Sequence, residues 1–366
     1  MNFYMPTRLF VGSGCVAQHK DELLSLGRRC LVVTDGTAAK ASGALEDVRH
    51  TLEAAGIDGT VWDGVSENPP VLACMEAGRE AAALNAQFIL GIGGGSALDA
   101  AKAIAVFAAN PGLDEAGFYA FDWQRDPLPI VLVGTTAGTG SEVTKVSVLT
   151  DASKRKHSIH DDRLFATISL GDSAYTHTCP SAVTLSCGVD VLAHATESYF
   201  SRKADQISRA VAVGAIRLAA APLSAAAEGA QLTDEQRDAL YEASILGGLA
   251  INTTGTCFPH NVGYYLTENY HVPHGFASAT FLPQMLVWAG QSHPDYAREF
   301  YGQIGMDQEE YLDLVKRCLP KQTVRMDERE ILEALPRWDG NGSVRNTITD
   351  VSVDMIHQML DSMFVK

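Results

Sequence analysis

The sequence predicts an α/β N-terminal domain built on a parallel sheet, followed by an all-α C-terminal domain. Three observations lead there. Compact apolar runs rich in β-branched residues are confined to the first 180 residues, amphipathic stretches separate them, and beyond Pro180 apolar positions recur at helical spacing. The expected boundaries are 1–179 for the first domain and 180–366 for the second.

Cys30 to Thr34, Phe88 to Ile92 and Pro129 to Val133 are the apolar runs, and their unbroken character marks parallel strands covered on both faces. Gly43 to Ala55 and Val71 to Leu84 lie between them as amphipathic helices, which gives βαβ units with right-handed crossovers. In the second half, Ser181 to Ser201, Gln206 to Ala220, Thr233 to Ile251 and Ser352 to Phe364 read as helices. Asp234 after Thr233, and Asp350 with Ser352, are cap candidates for two of these. Ala219 to Ala230 reads as a helix connection, and no internal repeat or low-complexity tract is visible.

Composition removes several classes of function. The chain has 366 residues and a formal charge of -16, a field that repels a phosphate backbone, so duplex binding is not expected. The apolar stretch Ala210 to Ala227 is interrupted by Arg217 and Pro222, which argues against a bilayer span. The first residues, Met-Asn-Phe-Tyr-Met-Pro-Thr-Arg, lack the charged and apolar regions of a secretory signal, and a cytoplasmic protein is expected. Seven cysteines, at 15, 30, 74, 179, 187, 257 and 318, form no Cys-x-x-Cys pair and read as reduced core residues.

Two loops carry the first chemical signal. Phe88 to Ile92 runs into Gly93-Gly94-Gly95-Ser96, and a helical pattern starts at Ala97 and includes Asp99 and Lys102. A strand, a bare-backbone turn and a helix start offer unpaired N–H groups to an anion, and a dinucleotide pyrophosphate is the natural guest. The strict Gly-x-Gly-x-x-Gly fingerprint is not met, because Ser96 follows, so this loop alone reads equally as a tight βα turn. A second small-residue loop, Gly134 to Glu142, follows the Pro129 to Val133 run, and two such loops at strand ends of one sheet strengthen the ligand reading. Asp35 ends an earlier strand, where a carboxylate accepts from the ribose hydroxyls of NAD and repels a 2'-phosphate; Asp35-Gly36-Thr37 also reads as a simple turn or helix cap.

The second signal is a scatter of metal-ligand types. Asp190 and His194 are four apart, so on a helix they share a face and can chelate one ion, although an isolated pair of this kind is more often a surface contact. His260 and His274 flank a 13-residue stretch, and each taken separately reads as a core or loop histidine. The histidines at 19, 50, 157, 160, 177, 293 and 357 show no grouping and read as structural or solvent-facing.

Together these residues carry a resemblance. Gly93-Gly94-Gly95-Ser96 with Asp99 and Lys102, Thr135 to Glu142, Gly188-Val189-Asp190-x-x-x-His194-Ala195-x-Glu197, and His260 with Pro273-His274-Gly275 resemble the iron-containing, or group III metal-dependent, alcohol dehydrogenase family. The order is kept from Phe10-Val11-Gly12 to Asn346-Thr347, with a weaker match over Tyr301 to Val344. The resemblance implies a dinucleotide-binding α/β domain and a dehydroquinate synthase-like helical domain. It implies NAD(H) and one divalent metal as cofactors, with Fe(II) foremost and Zn(II) or Mn(II) as alternatives. It places the metal on Asp190, His194, His260 and His274. It puts Asp35 at the adenosine ribose, with NAD preference, and Asn68, Gly93, Gly94, Gly95, Ser96 and Asp99 near the phosphates. Thr135, Thr136, Thr139, Thr144 and Lys156 would line the way to the nicotinamide.

The implied activity is an NAD-dependent, metal-dependent alcohol dehydrogenase or aldehyde reductase acting on a small alcohol and its aldehyde or ketone. A homodimer or larger homo-oligomer is implied, with no nucleic-acid or membrane partner. A polyol dehydrogenase, a dehydroquinate synthase-like enzyme, or a catalytically silent cofactor-binding relative are the alternatives. His260, His274 and Tyr264 are the candidate catalytic residues. Tyr264 stands where many relatives carry a further histidine, and it reads as a pocket wall or substrate hydrogen-bond donor ahead of a proton carrier. Gly134 stands in place of a proline usual before Thr-Thr.

Overall fold

A computed structural model describes residues 3–321 and 323–365; Met1 and Asn2, the start of the segment read for a secretory signal, lie outside the described residues. The chain folds as two compact units, Tyr4–Pro180 and the chain from Ser181 onward.

The first unit holds β1 (Arg8–Val11), β2 (Arg29–Thr34), β3 (Asp58–Trp62), β4 (Phe88–Gly93), β5 (Ile130–Gly134), β6 (Val146–Thr150), β7 (Lys156–His160) and β8 (Ile168–Gly171). Six of them form an all-parallel sheet in the order β1-β8-β5-β4-β2-β3, and β6 pairs with β7 as an antiparallel hairpin. Helices α1 (Ala44–Ala55), α2 (Val71–Ala83) and α3 (Gly95–Ala109) connect the strands. The central strands are apolar without alternation because both of their faces are covered: Leu31, Val33, Ile89 and Leu132 meet α2 and α3, while Val32, Leu90, Ile92 and Val131 meet α1 and its neighbours. β2 to β3 winds outward in one direction and β4, β5 in the other, so the winding reverses between β2 and β4, the position where open sheets of this kind hold ligands.

The second unit is helical: α4 (Ser181–Tyr199), α5 (Gln206–Ala227), α6 (Asp234–Thr254), α7 (Phe258–Tyr270), α8 (His274–Ala279), α9 (Gly342–Asn346) and α10 (Val353–Phe364), with further helices between α8 and α9. The fold class is the expected one, with three corrections. α5 runs through Arg217 and Pro222 to Ala227, so Ala219 to Ala230 is not a connection; by length and composition alone this helix could cross a bilayer, and here its buried positions, among them Ala212, Ile216, Ala219 and Leu223, pack in the helical core. The caps of α6 and α10 are the hydroxyls of Thr233 and Ser352, which bond Gln236 N and Met355 N, while Asp350 pairs with Arg202 instead. The strands β1, β3 and β8 and the β6–β7 hairpin add to the three runs that the sequence marks.

Candidate metal and cofactor sites

In the first unit, strand register assembles the loops. Gly93 pairs with Gly134 and Thr34 with Ile92, so the chain leaves β2, β4 and β5 at one level of the sheet, and Thr135 N donates to Gly93 O at 2.9 Å. Gly93 has φ +149°, and a Cβ there would sit 2.7 Å from Ala97 Cβ, so only glycine turns the strand into α3 this closely. The N-terminal N–H groups of α3 open at this turn. Asn68, at φ 51°, donates its backbone N–H to Ser96 Oγ at 3.3 Å, and its carbonyl accepts from Thr150 Oγ1 at 2.8 Å, which ties the β6–β7 hairpin to the turn. A Cβ on Gly94 would meet Thr136, and one on Gly95 would meet Thr139 at 2.7 Å, so the second loop lies directly against the first. These features fit a dinucleotide phosphate: bare backbone, free helix-start donors and hydroxyls on one edge.

Other residues of the first unit have structural work. Asp35 Oδ1 accepts from the N–H groups of Thr37, Ala38 and Ala39, which is the cap arrangement, and its second oxygen makes no hydrogen bond among the described residues. Asp99 is occupied on both oxygens, by Ser141 Oγ at 2.7 Å and Val148 N at 3.0 Å, and so ties α3 to the second loop and to β6. Lys102, to which the sequence assigns no role of its own, is fully buried; its Nζ donates to Ser141 O (2.8 Å), Ser141 Oγ (2.7 Å), Val146 O (2.7 Å) and Thr144 Oγ1 (3.4 Å). Burial pulls its ammonium down to about 8 against the opposing pull of Asp99 and Glu142. Thr144 is thus held by Lys102, Thr135 is buried with its hydroxyl unpartnered among the described residues, and Lys156 stands on β7 near enough to influence Asp99.

In the second unit, α4 presents Asp190, His194 and Glu197 at i, i+4 and i+7, one face of a helix that is almost wholly buried. His260 stands in the first turn of α7, directly after Pro259, and His274 is the first residue of α8. Gly275 lets α8 reach α4: a Cβ there would fall 1.9 Å from Ser186 O and 2.9 Å from Asp190 Cβ. The ligand atoms of Asp190, His260 and His274 all lie within 4.8 Å of one another. Asp190 Oδ1 stands 3.4 Å from His260 Nε2 and 4.0 Å from His274 Nε2, and Asp190 Oδ2 stands 3.8 Å from His194 Nε2. His194 stacks on His260 at 4.7 Å between ring centroids, so all four expected ligands gather, three tightly and His194 beside them.

The electrostatics favour a cation. Burial pushes the Asp190 carboxyl up, yet His194, His274 and His260 outweigh it and hold it well below the usual carboxylate range. Burial alone would depress His260, but Glu197 and Asp190 raise it to about 10, so positive charge is wanted at this point. Asp190 Oδ1 and His260 Nε2 are buried without a hydrogen-bond partner among the described residues. Neighbouring donors of a four- to six-coordinate ion with bonds near 2.1 Å stand about 3 to 3.4 Å apart, close to the spacing here, and one carboxylate with three imidazoles suits a first-row divalent metal.

Glu197 belongs to the sequence motif but has no role assigned from sequence; its position seven residues after Asp190 is the signal that places it on the ligand face. Fully buried, it accepts from His260 Nδ1 and, through Oε2, from Cys257 N at 2.6 Å. A carboxylate acceptor at Nδ1 holds a proton there, so that once Nε2 gives up its own proton its lone pair faces the space shared with Asp190. The exposed edge of the cluster is His274, whose side chain is 29% accessible, and the Tyr264 ring lies against it at 5.6 Å between centroids. Cys257 and Phe258 are buried completely behind the cluster.

Sequence comparison meets this geometry. A profile described as "Iron-containing alcohol dehydrogenase" matches residues 6–173, and "Fe-containing alcohol dehydrogenase family, C-terminal" matches 184–335, reaching into the Tyr301 to Val344 stretch. The chain is 36% identical over 300 residues to 1,3-propanediol dehydrogenase of Klebsiella pneumoniae, covering 81% of this chain and 75% of that one. The chain belongs to the iron-containing alcohol dehydrogenase family. Among solved structures of the family, the iron-containing alcohol dehydrogenase of Thermotoga maritima superposes with a TM-score of 0.91 at 31% identity, covering 99% and 98% of the two chains. Sulfoacetaldehyde reductase from Bifidobacterium kashiwanohense, solved in complex with NAD+, superposes with a TM-score of 0.84 at 26% identity over 99% and 98%. As a family member the chain is an oxidoreductase that works with NAD(H) and a divalent metal.

Proposed function

We propose that this chain interconverts a small primary or secondary alcohol and its aldehyde or ketone, with Asp190, His194, His260 and His274 holding the divalent metal, iron before zinc or manganese. The observation that carries the reading is the buried set of Asp190, His260 and His274 ligand atoms within 4.8 Å of one another. When bound, the metal supplies Lewis acidity toward an alcohol or carbonyl oxygen, and the nicotinamide gives or takes the hydride.

The side chains do the rest. Glu197 keeps the His260 proton on Nδ1, so Nε2 is available as a ligand. Asp190 contributes the one negative charge of the set. Tyr264, beside the exposed edge of His274, offers a phenol as hydrogen-bond donor to substrate. In the first unit, which we assign to NAD(H), the free oxygen of Asp35 is suited to ribose hydroxyls. The turn Gly93 to Ser96, with Asn68, is suited to the pyrophosphate, and Thr135, Thr136, Thr139, Thr144 and Lys156 to the nicotinamide side. Asp99 supports this assembly through Ser141 and Val148. The metal and substrate role falls to the unit from Ser181 onward. A homodimer or larger homo-oligomer, carried over from the family resemblance, and a cytoplasmic location, carried over from the sequence reading, complete the proposal.

Metal analysis of the purified protein, together with NADH oxidation against a panel of short aldehydes and ketones in added Fe(II), Zn(II) or Mn(II), tests the reading. Bound metal and turnover with at least one carbonyl compound are expected. A protein that takes up no divalent ion and oxidises no NADH with any of them contradicts it.

A further inference from the structure

His260 is useful as a ligand only if α7 is held at a fixed height along α4, because its two nitrogens face Glu197 and Asp190 at once. The segment that sets this height is Gly255 to Cys257, between α6 and α7, and it cannot hold itself. Gly255 has φ +70°, the helical ladder has ended, and the carbonyls of Thr254 and Thr256 have no partner inside a helix.

Those carbonyls are taken by a residue ninety positions away in sequence. Asn346, 7% exposed at the end of α9, donates through Nδ2 to Thr254 O and Thr256 O, both at 3.0 Å. Its Oδ1 accepts from Ser201 Oγ at 2.9 Å, and its backbone carbonyl accepts from Arg202 N at 2.7 Å, both just beyond the end of α4. Thr347, next in sequence, accepts from Phe258 N at 3.2 Å, a first-turn N–H of α7. Cys257 N then donates to Glu197 Oε2, which returns the path to α4. The result is a closed ring of hydrogen bonds running from α4 through Ser201, Asn346 and the Thr254 to Cys257 segment to Glu197, with His260 one turn inside it. Both N–H donors and the oxygen of the carboxamide are used, and no apolar or acidic residue of the same size reproduces both roles.

We infer that Asn346 is a positioning residue of the metal site: its carboxamide fixes where His260 stands against Glu197 and Asp190, and so sets metal affinity without touching the metal. The inference rests on the reading that Asp190, His194, His260 and His274 are the ligands. Its physical basis is the narrow tolerance of metal bonds, about 0.2 Å, against the larger play of a helix start whose anchoring bonds are cut.

Co(II) titration of the full-length apoprotein, followed by its visible absorption bands, with NADH binding followed by fluorescence, is the test. Asn346→Asp keeps the shape but removes both donors and sets a carboxylate against two carbonyls. Expected are a Co(II) affinity lower by about 10-fold or more, altered Co(II) bands, and NADH affinity equal to wild type. Ser201→Ala, which cuts one bond to Asn346 and the bond its hydroxyl accepts from Lys203 N, shifts Co(II) affinity in the same direction by less, and it carries the test if Asn346→Asp does not fold. Wild-type Co(II) affinity and bands in the folded variants overturn the inference. His260→Ala must lose the bands; a wild-type protein that takes up no Co(II), or a His260→Ala protein that keeps the bands, removes the ligand reading and this inference with it.

Discussion

Each unit of the molecule buries a polar cluster, and the two are completed differently. Behind the glycine loops, oxygen atoms of Ser141, Thr144 and Val146 converge on Lys102, with Asp99 3.8 Å away, so the cation the oxygens require is part of the chain. In the helical unit, Asp190 is compensated by three imidazoles, which are themselves acceptors when neutral, and Asp190 Oδ1 faces His260 Nε2 at 3.4 Å with no hydrogen bond between them. Burying charged groups is costly in both places, and it is tolerated only where the partner charge is supplied. The difference teaches how a structural cluster is told from a candidate binding site: the first closes on itself, whereas the second leaves Asp190 Oδ1 and His260 Nε2 without hydrogen-bond partners among the described residues.

Breaking the closed cluster should give the largest effect on folding. Lys102→Met removes the donor to Ser141 O and Val146 O and leaves Asp99 buried without its counter-charge, so a loss of about 3 kcal/mol is expected in urea unfolding. A pH dependence accompanies it. The Lys102 ammonium is lowered by burial from 10.5 to about 8, so between those values the unfolded chain binds a proton that the folded chain has released, and this group's contribution to stability rises with pH. Below about 8 the cost of burying the charge is fully present. The stability difference between wild type and Lys102→Met should therefore widen from pH 8 to 10.5; a difference that is flat or narrows over this range means that burial does not lower the Lys102 ammonium.

A smaller effect, confined to the open cluster, is expected from Glu197→Gln. The amide still accepts from His260 Nδ1 but presents an NH2 group to Cys257 N, and it withdraws the charge that favours His260 as a ligand. Metal affinity should fall by about 10- to 100-fold, and the unsatisfied Cys257 N–H should cost the apoprotein about 1 to 2 kcal/mol. Equal metal affinity in competition with a chelator would show that Glu197 serves packing alone.

Asp35→Gly should give the smallest change. It removes the acceptor for the N–H groups of Thr37, Ala38 and Ala39, at a cost of about a few tenths of a kcal/mol. It should also weaken NADH binding and relieve exclusion of NADPH. An unaltered ratio of NADH to NADPH affinity would leave Asp35 with the cap role only.

The same contrast explains what the sequence discloses. β2, β4 and β5 are buried on both faces, so they read as continuous apolar runs, whereas β1 and β3 lie at the sheet edges with half their residues exposed and carry no such mark. β8 is fully buried but only four residues long, too short to stand out. Glycines advertise a backbone site directly, because Gly93 needs a conformation that other residues avoid. Lys102 escapes a sequence reading because lysine is ordinarily solvent-facing; its signal is its place in α3, a helix apolar nearly all round, where every face is buried. The four proposed ligands are legible through the family resemblance and through the Asp190–His194 spacing, while the third dimension that brings α7 and α8 to α4 is not. Pro222 misleads because a proline inside a helix usually ends it, and α5 tolerates it among buried neighbours.

The most direct test of the metal site is anomalous diffraction from crystals grown with Co(II) or Zn(II). A single strong peak is expected within about 2.0 to 2.3 Å of an Asp190 oxygen and of one nitrogen each from His194, His260 and His274. A peak elsewhere, or four side chains turned from one another around no common density, would contradict it.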